Sequence, residues 1–195
     1  MSGDDAAVIR AAQAGDRAAF AELVRRYQRP LYSFVLGLVQ DAELAADVTQ
    51  ESLVRAWRYL GRFEAEGPFR PWLYRIAANR AASRRSRERA RPTVPLEELT
   101  AEPVAPDDPA GDLQRAELAA QVRWAIGQLS PQQREAMVLV ELEGQTANDA
   151  AQVMGCSPAT VRQHIFRGKK RLRVLLADYV LAADPGGDEE GPDAL

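Results

Sequence analysis

Apolar residues in this chain recur at steps of three and four, and no stretch alternates at steps of two, which predicts an all-α fold. A first helix is expected from Asp4 to Ala14, stopped by Gly15. Asp16 offers a cap for the second, whose apolar face is Phe20, Leu23, Val24, Tyr27, Leu31, Phe34, Val35 and Leu38. Pro30 falls inside that face, so a kink or a break is expected near Gln28. A third helix runs from Asp41 to about Leu60, with Leu44, Val48, Ser52, Ala56 and Leu60 turned inward. Gly61 to Arg70 reads as a loop around Gly67 and Pro68. A fourth helix starts near Pro71 and reaches about Arg89, with Trp72, Leu73, Ile76 and Ala77 inward.

The pattern stops abruptly at Arg91. From there to Asp112 the chain carries five prolines, six acids and few large apolar residues, the composition of an extended, flexible linker. Periodicity resumes from Leu113 to Gln128, with Leu118, Val122, Ala125, Ile126 and Leu129 inward. Ser130 and Pro131 cap and open the next helix, and Gly144 ends it. From Ala182 onward Gly, Pro, Asp and Glu predict a disordered acidic tail. The resulting organisation is a helical domain over residues 1–90, a linker over 91–112, a second helical domain over 113–181 and a tail over 182–195.

Thr146 to Arg173 has the punctuation of a helix-turn-helix. Thr146 caps a short helix with Asp149 three residues on, and Gly155 closes it. Ser157 and Pro158 then open a second helix. Val161, Ile165, Gly168, Leu172, Leu175 and Tyr179 form its buried stripe, and Arg162, Gln163, Phe166, Arg167, Lys170 and Arg173 lie largely outside it. No acid occurs between Ser157 and Arg173. Arginine and glutamine on an exposed helix face suit base edges in the major groove, whereas an ordinary solvated helix has no need of the turn and its caps.

The formal net charge of −3 argues against a nucleic-acid partner until the charge is located. The acids concentrate in the linker, one helix and the tail. Besides the helix-turn-helix, a second basic stretch carries Arg75, Arg80, Arg84, Arg85, Arg87, Arg89 and Arg91 against a single Glu88. Such density can neutralise a track of phosphates. The loop before it holds Arg62, Phe63, Phe69 and Arg70, residue types that could hold unstacked bases, although core packing explains Phe63, Phe69 and Trp72 equally well. Asp47, Gln50, Glu51, Val54 and Arg58 share one face of the third helix, an acidic and amide surface that suits a protein partner.

One cysteine and one histidine give no disulfide and no protein-only zinc site, so neither metal nor cofactor is expected. No apolar run is long enough to span a bilayer, and no signal-peptide core opens the chain, which points to the cytoplasm. No phosphate-binding glycine loop and no catalytic constellation appear, so the chain is not expected to be an enzyme.

Several runs together resemble bacterial sigma factors. Asp47-Val48-Thr49-Gln50-Glu51-Ser52-Leu53-Val54-Arg55-Ala56-Trp57 is similar to their second region, and Phe69-Arg70-Pro71-Trp72-Leu73-Tyr74-Arg75-Ile76-Ala77-Ala78-Asn79 to the helix that follows it. Leu129 to Glu135 and Gly155 to Arg173 resemble the fourth region. Two regions with only a linker between them match the compact extracytoplasmic-function group, and the resemblance spans Arg17 to Leu176. It implies that Asp47, Gln50 and Glu51 face the β′ clamp helices of core RNA polymerase, with the β subunit a further contact. It implies a minus-10 surface of Arg62, Phe63, Phe69, Arg70, Arg75, Arg80 and Arg84, with the loop capturing a flipped base. Ser157, Thr160, Arg162, Gln163, Phe166, Arg167 and Lys170 match positions that meet the minus-35 element. An anti-sigma factor is a further candidate partner. The chain departs from the family at Ser83, Arg84, Arg85, Val140, Gln145, Ala147 and Ala150. The alternatives are a free-standing helix-turn-helix regulator with an N-terminal dimerisation domain, and a helical enzyme with an incidental helix-turn-helix.

Overall fold

The computed structural model describes residues 3–89 and 109–177, and side chains over 5–87 and 118–177. Residues 91–108 of the expected linker (91–112), Tyr179 and the expected tail lie outside the described residues. Helices α1 (Gly3–Gln13), α2 (Arg17–Val39), α3 (Ala42–Tyr59) and α4 (Phe69–Arg89) form the first half. Helices α5 (Pro109–Gly127), α6 (Pro131–Met137), α7 (Ala147–Met154) and α8 (Pro158–Leu175) form the second. A 3₁₀ turn at Leu60–Arg62 precedes α4, and a π turn at Val138–Leu142 continues α6. No strand occurs among the described residues.

Local chemistry sets most boundaries. Asp16 accepts from the amides of Ala18 and Ala19, and Asp41 from that of Leu44. Ser130 and Gln133 close a reciprocal capping box. Each such cap contributes about 1 kcal/mol. Helix α2 departs from expectation by running unbroken through Pro30. Proline there removes one backbone hydrogen bond, but Leu31, Phe34, Val35 and Leu38 beyond it are buried, and their packing holds the helix together. Helix α4 begins at Phe69, before the expected start at Pro71, and α5 begins at Pro109, inside the expected linker. Leu118, expected inward, is 48% exposed, while Ala125 and Leu129 are buried.

The two halves are not held apart. Their buried residues form one core, in which Leu38, Leu73, Tyr74 and Ala77 are joined by Ala136, Val138, Leu139, Ala150 and Val161. Phe34 and Tyr74 stack at 4.6 Å between ring centres beneath this junction. Gly37 on α2 admits the side chain of Val138, which lies 2.9 Å from where a Cβ would stand, so any larger residue would push the halves apart. Arg134, only 2% exposed, donates to the carbonyls of Ile126, Gly127, Leu129 and Leu38. Arg85 donates to the same Leu38 carbonyl at 2.8 Å. The C-terminal end of α2 thus receives from tertiary neighbours the positive charge that its own last turn lacks.

Next to Arg134, Glu135 is pushed up to about 7 by burial alone. It shares a cavity with Leu38, Ala78, Arg85 and Arg134, and Cys156 feels its charge. The folded chain therefore holds the proton more tightly than the unfolded chain, whose carboxyl titrates near 4.5. The resulting stability is complete below pH 4.5 and is lost as the pH rises through about 7. Melting temperature is expected to fall between pH 5 and 8, and Glu135→Gln to flatten that fall. An equal pH dependence in both proteins would assign it to other groups.

Candidate nucleic-acid interface

The recognition element is built by its turn. Helix α7 ends at Gly155, whose φ of 65° places it in the left-handed region, and the amide of Cys156 bonds back to Ala151. Ser157 then caps α8 by accepting from the amide of Thr160 at 3.1 Å, and Pro158 fills the first turn. The Ser157 and Thr160 hydroxyls also bond each other at 2.9 Å. These two candidate DNA residues therefore hold the end of the helix in shape.

Behind the exposed face, Val161 and Gly168 are buried, and Ile165, Leu172 and Leu175 are half-buried. Gly168 lets α6 approach, with Met137 Cγ lying 3.1 Å from where a Cβ would stand. Arg162, Gln163, Phe166, Arg167 and Lys170 all face solvent, Phe166 at 70% exposure. Lys169 is tied to Glu141 at 2.9 Å. The face presents three cations, an amide and an aromatic ring together, a set that suits a grooved anionic duplex.

The seven downstream candidates separate into distinct groups. Arg62 and Arg75 are exposed. Phe69 is a core residue at 5% exposure, packed edge-on to Tyr27 at 5.1 Å and beside Trp72 at 5.5 Å. Phe63 is half-buried against Phe69 and Trp72, with ring centres at 5.6 and 4.8 Å. Phe69 could offer its ring to a base only by leaving this packing.

Arg70 binds Glu143 at 3.0 Å and lies over the Tyr74 ring. The Tyr74 hydroxyl donates to the same carboxylate at 3.1 Å, and burial pushes its phenol well above its usual range. Arg80 and Arg84 both pair with Glu51.

Tyr74, Glu143 and Arg134 were missed as organising residues, and single-sequence periodicity contains no signal for pairs so far apart. Gln145 is one of the departures visible in the sequence, a polar residue where the family prefers larger apolar groups. It is 7% exposed, and both its amide atoms are buried without partners beside a cavity of about 370 Å³ that Tyr27, Phe69 and Arg70 also line. An unpaired buried amide costs about 1–3 kcal/mol, which weakens the junction of the halves.

Asp47 and Gln50 are exposed on α3 as expected, whereas Glu51 turns towards α4. Beside Gln50 lies an apolar groove lined by Phe20, Val24, Leu53, Val54 and Trp57, with Val54 exposed. Its polar rim is Arg17, Gln28 and Gln50, and an exposed apolar groove of this kind suits a protein partner better than a nucleic acid. Among the described residues, no cluster of His, Cys, Asp or Glu could hold a metal ion, and no helix is long and apolar enough to cross a membrane.

An all-helical chain with a helix-turn-helix in one half and an exposed apolar groove in the other has the parts of a DNA-reading adaptor. Residues 23–91 match the model for sigma-70 region 2, and residues 119–172 that for sigma-70 region 4. The chain is 35% identical over 178 residues to the RNA polymerase sigma-H factor of Pseudomonas aeruginosa, covering 86% of this chain and 91% of that one. It is 36% identical over 172 residues to the ECF RNA polymerase sigma factor SigM of Mycobacterium tuberculosis, covering 88% and 84%. Its fold is similar to CnrH in complex with the cytosolic domain of CnrY, with a TM-score of 0.67, 29% identity and coverage of 89% and 97%. It is also similar to RpoE of Bartonella quintana, in complex with the anti-sigma factor NepR, with a TM-score of 0.64, 28% identity and coverage of 81% and 96%. The chain belongs to the sigma-70 family, in its extracytoplasmic-function group, and is a sigma factor directing transcription by RNA polymerase.

Proposed function

We propose that the chain mounts on core RNA polymerase through α3 and reads two promoter elements, the minus-35 element as duplex and the minus-10 element as melted strand. The exposed basic and aromatic face of α8, set opposite its buried stripe, carries the upstream assignment. Asp47, Gln50 and the groove of Phe20, Val54 and Trp57 form the surface for the β′ clamp helices. Arg62 and Arg75 are the downstream residues already open to DNA, and Phe63 is the ring nearest the surface of its loop.

Reading two separated elements requires the halves to part. Separation frees Arg70 from Glu143 and lets the Gln145 amide reach water. Strand opening then draws on binding energy, since base capture can offset the few kcal/mol of unstacking. The chain acts in this reading as a non-enzymatic subunit in the cytoplasm, where polymerase and promoter are found. By analogy with RpoE bound to NepR, an anti-sigma factor is the expected inhibitor. The free-standing regulator is not favoured, because residues 23–91 and 119–172 match sigma-70 regions 2 and 4 in that order.

Selection of bound duplexes from a random pool by the reconstituted holoenzyme tests the upstream reading. Arg162→Ala and Arg167→Ala are each expected to cost about 1–3 kcal/mol at the selected upstream sequence if a bidentate base contact is lost. Helical content should stay unchanged, because both side chains are exposed. Equal weakening on every sequence would reduce these arginines to phosphate contacts and leave base reading to Gln163 and Phe166.

A further inference from the structure

Helix α3 carries the proposed polymerase face and α4 the proposed DNA arginines, and one carboxylate joins them. Glu51 Oε2 accepts from Arg80 Nη2, and Glu51 Oε1 from Arg84 Nη2. A single negative charge is thus shared by two guanidinium groups four residues apart on one helix face. The Nε–H of each arginine is buried with no acceptor, so Glu51 does not satisfy all the donors of either guanidinium group. Glu51 stays about one-third exposed, one residue from exposed Gln50 and four from exposed Asp47, within reach of whatever docks there.

We propose that Glu51 masks Arg80 and Arg84 in the free chain, and that docking of the α3 face draws its carboxylate away and releases both arginines to DNA phosphate. The inference rests on the proposed polymerase face. Two guanidinium groups and one carboxylate leave one net positive charge; with the carboxylate engaged elsewhere, two remain. Partly exposed ion pairs are weak in water, so exchange of Glu51 between partners is energetically accessible. A cation on the docking partner would replace the two arginines, and phosphate oxygens would replace Glu51. The DNA affinity of α4 thereby becomes conditional on polymerase.

The test is fluorescence anisotropy of the full chain, without polymerase, on a labelled mixed-sequence single strand over a range of salt. Glu51→Gln removes the charge at nearly constant shape. It should bind about 3–10-fold tighter at low salt, with a salt slope steeper by about 0.7, the increment for one further single-strand phosphate. Glu51→Asp keeps the charge and should behave as the parent chain. Adding Arg80→Gln and Arg84→Gln to Glu51→Gln should erase the gain. Superimposable melting curves check that the variants fold.

Unchanged or weaker binding by Glu51→Gln, or an unchanged slope, overturns the mask. Glu51→Gln loses the contact that draws the carboxylate away, so its affinity for core polymerase is measured separately. In holoenzyme assembled at saturating core, where the parent's carboxylate is already withdrawn, the two should show equal salt slopes. A slope that is still steeper for the variant overturns the hand-over. Asp47→Asn, which adds no cation beside Glu51, tests the docking face separately, so failure of that face and failure of the mask are distinguishable.

Discussion

Asp47→Lys is expected to abolish capture of the chain by core RNA polymerase while leaving its melting curve unchanged. Asp47 is exposed on α3, and Leu44, Ala45, Val48 and Ser52 of that helix are buried, so the substitution touches no core contact. Surface changes of this kind usually stay within about 0.5 kcal/mol. At an interface, a like charge brought against its partner costs several kcal/mol, enough to weaken binding by a hundredfold or more. Reversing Glu51 as well would confuse the test, because Glu51 holds Arg80 and Arg84. The measurement is a pull-down with core enzyme, alongside thermal melting. Retention of core polymerase at parental affinity would sink the docking assignment.

Arg134→Ala carries the largest expected cost to the fold. The guanidinium is buried and hydrogen-bonded to four carbonyls drawn from both halves. Leu38 keeps Arg85 and Ile126 keeps the Leu129 amide, but alanine leaves the Gly127 and Leu129 carbonyls facing a hole, at about 1–3 kcal/mol for each that water cannot reach. A net loss of about 3–5 kcal/mol follows if water satisfies some of them, against a total stability of about 5–15 kcal/mol for a domain. Lysine should recover little, since one ammonium cannot match the forked donors of arginine. Denaturant unfolding reads the loss directly, and a cost below about 1 kcal/mol would mean the carbonyls find other partners. Because the Leu38 carbonyl belongs to the first half and the others to the second, the same variant should loosen the junction that promoter binding has to open.

The downstream surface shows where sequence reasoning reached its limit. Arg62, Phe63, Phe69, Arg70, Arg75, Arg80 and Arg84 form one group by residue type and position. Their environments differ because each side chain meets a partner from another part of the chain: Tyr27 for Phe69, Glu143 for Arg70, Glu51 for Arg80 and Arg84. Residue type indicates which chemistry is available, and only packing decides whether it is already in use. The same holds for Pro30, where a local rule predicts a kink or a break and buried residues beyond it keep the helix from breaking.

By itself the sequence determined what depends on neighbours within a few residues. Helix starts at Asp16, Asp41, Ser130, Thr146 and Ser157 follow from side-chain oxygens meeting free amides one turn on, and the turn at Gly155 from a backbone angle that favours glycine. The exposed face of α8 follows from helical spacing alone, and the family from motifs in order along the chain. The tertiary structure decided what depends on distant pairs. It closed the two halves over one core, placed Val138 against Gly37, drew Arg134 onto the end of α2 and set Glu51 between two arginines. Such pairings depend on how whole helix faces fit, because apolar burial is non-directional and selects no particular partner from sequence spacing.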